Sequence, residues 1–193
     1  MATKVSSART HGQVLPLVDA PIHACATPAR TLEIAGRPFV IVTHNSAPKA
    51  QRAELERDVR AIVEAEAALL GGVPWSRYVL VLLDSAPSRG GLEHRNAAVL
   101  TLTAAAYDDR AAVLDTLSLI AHEVLHAWNV KRIRPAALTP YDYEREQYTR
   151  ALWWFEGGTS SSGSGRLSAS NVLRTDRRCP RGSGTASAWR TRG

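Results

Sequence analysis

The sequence contains little cysteine and no long apolar run, and both shortages exclude classes of protein. The two cysteines, Cys25 and Cys179, stand far apart and no CxxC pair is present, so the chain has neither a disulfide framework nor a zinc knuckle. No apolar run approaches the roughly 18–20 residues that span a bilayer. The polar residues 1–13 lack the apolar centre of a secretory signal. We therefore expect a cytoplasmic protein without a membrane partner.

Acidic residues are almost missing from the last part of the chain. Residues 160–193 hold seven arginines and one acid, whereas residues 1–159 hold 17 basic and 17 acidic residues. The formal net charge of +6 and the pI of 9.8 therefore describe the tail alone. Because a nucleic-acid-binding domain carries its basic excess on its folded surface, the sequence predicts no nucleic-acid partner.

Hydrophobic periodicity predicts an α+β fold for the middle of the chain. Apolar runs bounded by turn residues predict strands at residues 31–34, 38–43, 78–83 and 97–103, the first two joined by a turn at Gly36. Apolar residues at helical spacing predict helices at residues 48–70, 111–129 and 144–155. Proline, serine and glycine predict loops at residues 84–91 and 131–143.

The predicted helix at residues 111–129 contains an HExxH motif, formed by His122, Glu123 and His126. Histidines four positions apart lie on one face of a helix, where two imidazoles can bind one tetrahedral Zn²⁺. Glu123 flanks such a metal and can take a proton from a zinc-activated water. The alternative is a chance match on an amphipathic helix with two surface histidines.

A catalytic zinc needs a third protein ligand, and Glu156 is the candidate. It lies 30 positions after His126, at the end of the predicted helix at residues 144–155, in the sequence WWFEG. A glutamate before a glycine is more often a solvated helix end. Here it occupies the place where a site of two histidines and one glutamate needs its last ligand.

Three stretches of the chain resemble one known family. They are GGLEHRN at residues 90–96, HEVLHAWNVKRIRP at residues 122–135, and the segment from EQYTR to EGGTS at residues 146–160. In this order they resemble the glycyl aminopeptidase family of zinc metallopeptidases with a PDZ domain, family sixty-one among the metallopeptidases. The resemblance covers roughly three quarters of the chain.

The resemblance implies a thermolysin-like catalytic domain, a mixed sheet plus the HExxH helix, incomplete at both ends. It implies one zinc bound by His122, His126 and Glu156, with Glu123 as general base. It also implies a peptide substrate, from which an N-terminal residue is removed, with glycine or alanine favoured. Glu93 corresponds to the acidic residue that holds the substrate's free amine, although a surface salt bridge is the alternative for this side chain.

The chain departs from the family pattern after Glu156. The family's EGFTSYY reads EGGTSSS here, and the helical half and PDZ domain of relatives do not follow. We therefore expect a chain truncated and frame-shifted after about Ser160. It divides into a disordered N-terminus (residues 1–15), a catalytic domain (16–160) and a disordered Arg/Ser/Gly-rich tail (161–193). Tyr141, Tyr143 and Tyr148 are possible replacements for a later tyrosine that would stabilise the tetrahedral intermediate.

The basic run after the HExxH motif and the tryptophan pair before Glu156 have structural interpretations. The basic run at residues 131–134 predicts a solvated or salt-bridged loop, and Trp153 and Trp154 are expected to pack in the core against the HExxH helix.

The leading function is a zinc aminopeptidase. The alternatives are a zinc endopeptidase with no amine-binding role for Glu93, and an inactive fragment or binding module that keeps the metal motif without turnover.

Overall fold

Five segments of the chain are described by the structure, a computed structural model. They are residues 19–24, 28–44, 49–84, 86–142 and 144–161. The predictions made for residues 1–15, for the tail beyond residue 161 and for the two cysteines lie outside these segments. Within them, no helix is both long and apolar enough to cross a membrane.

A five-stranded mixed sheet forms the framework. Its strands are β1 (Arg30–Ile34), β2 (Arg37–Thr43), β3 (Tyr78–Leu83), β4 (Gly90–Glu93) and β5 (Ala97–Thr101). They lie in the order β1-β2-β3-β5-β4, with parallel pairs inside and an antiparallel pair at each edge. The four predicted strands are confirmed, and so is the first hairpin, where Gly36 has a φ of +72°.

Strand β4 corrects the loop predicted at residues 84–91. The Gly90-Gly91 pair is typical of a turn in sequence, because glycine weakens a strand interior. The antiparallel ladder with β5 overrides this preference, pairing Gly91 with Leu100 and Leu92 with Val99. Strand β4 stands at one end of the strand order.

Two helices, α1 (Lys49–Leu70) and α2 (Arg110–Leu125), cover one face of the sheet. The main core lies between the two helices and the sheet. It includes Val59, Ile62, Leu80, Leu100, Leu117 and Ile120. Helix α2 begins at Asp109, whose side chain accepts a hydrogen bond of 2.8 Å from Ala112 N. It ends four residues before the predicted Asn129, because the chain folds back there and Ile133 N donates to Trp128 O.

The predicted helix at residues 144–155 is wrong. Residues 144–151 are irregular, and helical structure begins at Leu152, followed by a π-helical turn at Trp153–Gly158. Side-chain bonds to the backbone explain the difference, because they compete with the helix. Gln147 Oε1 accepts from Asp142 N at 2.8 Å, and Thr149 Oγ1 accepts from Ala151 N at 3.2 Å.

The expected packing of the tryptophan pair in the core is also wrong. Trp153 is 73% exposed and Trp154 is 53% exposed. Phe155 is the buried aromatic residue of this segment, and it packs with Val130 and Leu138. Only one side chain of the turn faces the small cluster, because neighbouring residues on a helical turn point in different directions.

Candidate active site

The two histidines of the HExxH motif face each other at the C-terminal end of α2. His122 lies in the last turn, and His126 caps the helix. Their Nε2 atoms are 2.9 Å apart, and the rings are nearly perpendicular at 88°. Burial lowers the pKa of His122, and the neighbouring His126 lowers it further. The His122 ring therefore favours the neutral form, which is the form that binds metals.

Glu156 brings a carboxylate oxygen to the same point. Its Oε2 lies 3.3 Å from His122 Nε2 and 3.7 Å from His126 Nε2. Four ligands at 2.0–2.1 Å from a tetrahedral zinc are separated by about 3.3 Å. The three observed separations bracket this value, so two imidazoles and one carboxylate surround a position that fits Zn²⁺ in both spacing and donor type.

Each imidazole has a partner for its other nitrogen. His126 Nδ1 lies 2.8 Å from Asn129 O, and His122 Nδ1 lies 3.1 Å from Ser160 Oγ. Since the Asn129 carbonyl oxygen can only accept, His126 Nδ1–H is the donor in the first contact. Such bonds fix the tautomer and the orientation of metal-binding histidines. The two contacts therefore restrict how the His122 and His126 rings can turn.

Glu123 is buried beside the histidines, with 5% of its surface exposed. Its carboxylate, that of Glu93 and a ring nitrogen of His126 lie within 4.8 Å of one another. Burial raises the pKa of Glu123 to about 7, and the negative charges of Glu93 and Glu156 contribute. A carboxyl group with a pKa near neutrality is suited to general acid–base chemistry.

Gly91 of strand β4 lies directly against Glu123. A Cβ atom at this position would stand 2.0 Å from Glu123 Oε1 and 2.3 Å from its Cδ. No side chain is compatible with that approach, since real Cβ contacts are longer than 3.0 Å. The glycine in GGLEHRN therefore allows the edge strand to close over the buried carboxylate.

Glu93 is held at the site by a nearly buried lysine. Lys131 Nζ lies 3.5 Å from Glu93 Oε1 and 3.3 Å from Asp19 Oδ1. Burial would lower the pKa of Lys131, but the two carboxylates outweigh it and raise the pKa. The lysine remains charged and fixes the Glu93 carboxylate beside Glu123 and His126.

Comparisons with known proteins concern the same part of the chain. The sequence pattern of the family described as M61 glycyl aminopeptidase matches residues 115–192, a range that contains the histidines and Glu156. A search of the curated proteins found no match. Over these residues the chain resembles the M61 glycyl aminopeptidase family. The matched range includes most of the tail, so the prediction that resemblance ends near Ser160 is not supported.

A solved structure is similar to this chain in fold and sequence. It is the crystal structure of an aminopeptidase N family protein from Idiomarina loihiensis, with a TM-score of 0.67 and 29% identity. The similarity covers 75% of this chain and 26% of that one, so the chain spans about a quarter of that protein's length.

The basic run at residues 131–134 is a salt-bridged loop, as predicted. Besides the Lys131 ion pairs, Arg132 donates to Arg95 O and to Asn96 Oδ1, each at 2.8 Å. The Arg134 guanidinium lies 4.3 Å from the centre of the Tyr141 ring. The Lys131 and Arg132 contacts join the loop after α2 to the segment that follows β4. They therefore hold Glu93, at the end of β4, near the histidines.

The structure gives no support to a role for the three tyrosines in stabilising an intermediate. The Tyr141 hydroxyl is directed at Val130 O, 3.5 Å away. Tyr148 is exposed and its hydroxyl bonds Glu146. Tyr143 lies outside the described residues.

Asn129 and Ser160 are the site residues that the sequence analysis missed. Each follows a ligand at short spacing, Asn129 three residues after His126 and Ser160 four residues after Glu156. This spacing was no usable signal, because Asn129 contacts His126 through its backbone oxygen beyond the end of α2, and Ser160 contacts His122, 38 positions earlier.

Proposed function

We propose that this chain is the zinc-binding core of an aminopeptidase of the thermolysin-like clan. His122, His126 and Glu156 would hold one zinc, and Glu123 would be the general base. The observation that carries the proposal is the convergence of three ligand atoms at tetrahedral spacing, with a buried carboxylate beside them. The family match over residues 115–192 and the similar solved structure support the peptidase class.

If bound by His122, His126 and Glu156, zinc would supply Lewis acidity for a peptide carbonyl and lower the pKa of water near neutral pH. Glu123 handles the proton. As a carboxylate it accepts the proton of the attacking water, and as a carboxylic acid it donates that proton to the nitrogen of the leaving peptide. Burial, together with Glu93 and Glu156, raises its pKa to about 7. A base of this strength can hold the proton between the two transfers.

Glu93 is the candidate for binding the substrate's free amine. Its carboxylate lies within 4.8 Å of Glu123 and of His126, on the strand that borders the site. An ammonium group paired there would place the first peptide bond, and no later one, at the metal position. The preference for glycine or alanine is carried by the family resemblance alone.

One contact favours the endopeptidase alternative. Lys131 Nζ already lies 3.5 Å from Glu93 Oε1 and supplies a positive charge to it. If this ion pair satisfied Glu93 fully, the carboxylate would not select substrates with a free amine. A carboxylate has several acceptor positions, so one lysine leaves room for a second cation, and the aminopeptidase remains the better interpretation.

The test compares free and N-acetylated forms of one alanyl peptide with the zinc-loaded chain. We expect cleavage of the free peptide only. Glu93→Gln should lower kcat/KM for the free peptide by about 10–100-fold, because a charge-assisted bond contributes about 1.5–3 kcal/mol. Glu64→Gln, which changes an exposed carboxylate on α1, is the control. Equal cleavage of both peptides, unaffected by Glu93→Gln, would establish the endopeptidase instead.

A further inference from the structure

Asn129 lies between the two segments that carry the proposed metal ligands, and it contacts both. Its backbone oxygen accepts from His126 Nδ1 at 2.8 Å. Its side-chain Nδ2 donates to Thr159 Oγ1 at 2.9 Å. Asn129 follows His126 by three residues, and Thr159 follows Glu156 by three residues. One residue therefore joins the turn after α2 to the π-helical segment.

Thr159 completes the connection from inside the protein. The residue is fully buried, with 0% exposure. Its hydroxyl accepts from Asn129 and donates to Phe155 O at 2.5 Å, so both functions of the hydroxyl are used. Phe155 directly precedes Glu156. The hydrogen bonds thus run from a histidine ring, through Asn129 and Thr159, to the peptide group next to the glutamate.

Glu156 needs such a connection more than the histidines do. Its side chain is 56% exposed, whereas His126 is 1% exposed and fixed by packing. It also stands in a π-helical turn, a geometry that is rare and is often found at functional sites. Binding a metal with an unfixed carboxylate costs conformational entropy. A segment already held in place reduces that cost.

We propose that Asn129 is a positioning residue of the metal centre, which couples the orientation of His126 to the position of Glu156 through Thr159. This inference rests on the proposed function, since it takes His122, His126 and Glu156 as the metal ligands. The competing interpretation is that the Asn129–Thr159 bond stabilises the fold alone and leaves the metal site unchanged.

The test measures zinc affinity of the full chain by competition with a chromogenic chelator. Thr159→Val keeps the shape of the side chain but removes both hydrogen bonds, and Thr159→Ser keeps the hydroxyl. Thr116→Val is the matched control, because Thr116 is also buried in the fold and bonds a backbone oxygen, that of Ala106, at 3.2 Å. We expect Thr159→Val to weaken zinc binding by about 10-fold or more. Thr159→Ser and Thr116→Val should bind like the wild type.

A double-mutant cycle with Asn129→Ala separates positioning from general stabilisation. Both changes break the same bond, so the double variant should bind zinc no more weakly than the worse single variant. Asn129→Ala retains the backbone oxygen that His126 uses, and it serves as the readout if Thr159→Val does not fold. The absorption spectrum of the cobalt-substituted protein should change in the variants, because Glu156 leaves its position.

The outcomes are distinct. Wild-type affinity in Thr159→Val, or an equal loss in Thr159→Val and Thr116→Val, would overturn the coupling while leaving the metal site intact. Additive losses in the cycle would overturn it as well. A wild-type chain that binds no zinc would refute the proposed function, and this inference with it.

Discussion

Replacing Gly91 with alanine should displace the proposed general base. The new Cβ would meet Glu123 Oε1 at 2.0 Å, where an ordinary contact needs about 3.5 Å. Either the carboxylate or strand β4 must therefore move by roughly 1–1.5 Å. Glu123 has little room, since it is 5% exposed and stands on a packed helix. A misplacement of about 1 Å at a catalytic group can lower the rate about 100-fold.

The assay is kcat/KM of the zinc-loaded protein, with zinc content and circular dichroism measured on the same samples. We expect Gly91→Ala to keep its zinc, to lose about 1–3 kcal/mol of stability through overpacking and to lose about 100-fold in kcat/KM. Gly90→Ala is the control, because its Cβ would meet Thr101 Oγ1 at 3.3 Å and needs only a small adjustment. Equal activity of the two variants would refute the reasoning.

Three further predictions concern the charges around the site. In the metal-free protein, the pKa of Glu123 is about 7 against an ordinary 4.5, so its contribution to stability is fully present below pH 4.5 and is lost as the pH rises through 7. Urea titrations should show that the free energy of unfolding of the wild type falls between pH 5 and pH 8. This fall should be smaller by up to about 3 kcal/mol in Glu123→Gln, and identical falls in the two proteins would contradict the prediction. In the zinc-loaded protein the same variant should retain the metal and lose at least 100-fold in turnover, and an active variant would remove Glu123 as the base. Lys131→Met should lower the free energy of unfolding at pH 7 by about 2 kcal/mol, because Glu93 and Asp19 lose their cation, and an unchanged urea midpoint would show the pairs to be irrelevant.

Sequence patterns correctly predicted the strands and helices that are determined by the residues within each segment. The run Tyr78–Leu83 is apolar throughout because β3 is paired on both sides and covered on both faces. The histidine pair was predictable for a similar reason, since the i, i+4 spacing is a property of one helix. In contrast, β4 exists through its pairing with β5, which the turn-like Gly90-Gly91 sequence does not reveal.

The surroundings of the site depend on contacts between distant parts of the chain. Lys131 pairs with Asp19, 112 positions earlier, and no local pattern links the two. The helix predicted at residues 144–155 failed because Gln147 bonds the backbone of Pro140 and Asp142 instead of facing solvent from a helix. Glu156, chosen by its position after the HExxH motif, lies near both histidines, but the π-helical turn that carries it was not predicted.

The most direct test of the account is the zinc content of the purified chain after dialysis against zinc-free buffer. We predict one zinc per chain in the wild type and loss of that zinc in His126→Ala and in Glu156→Ala. His44→Ala, a histidine outside the proposed ligand set, should keep one zinc per chain. A wild-type chain without zinc, or a His126→Ala variant that retains it, would contradict the central claim.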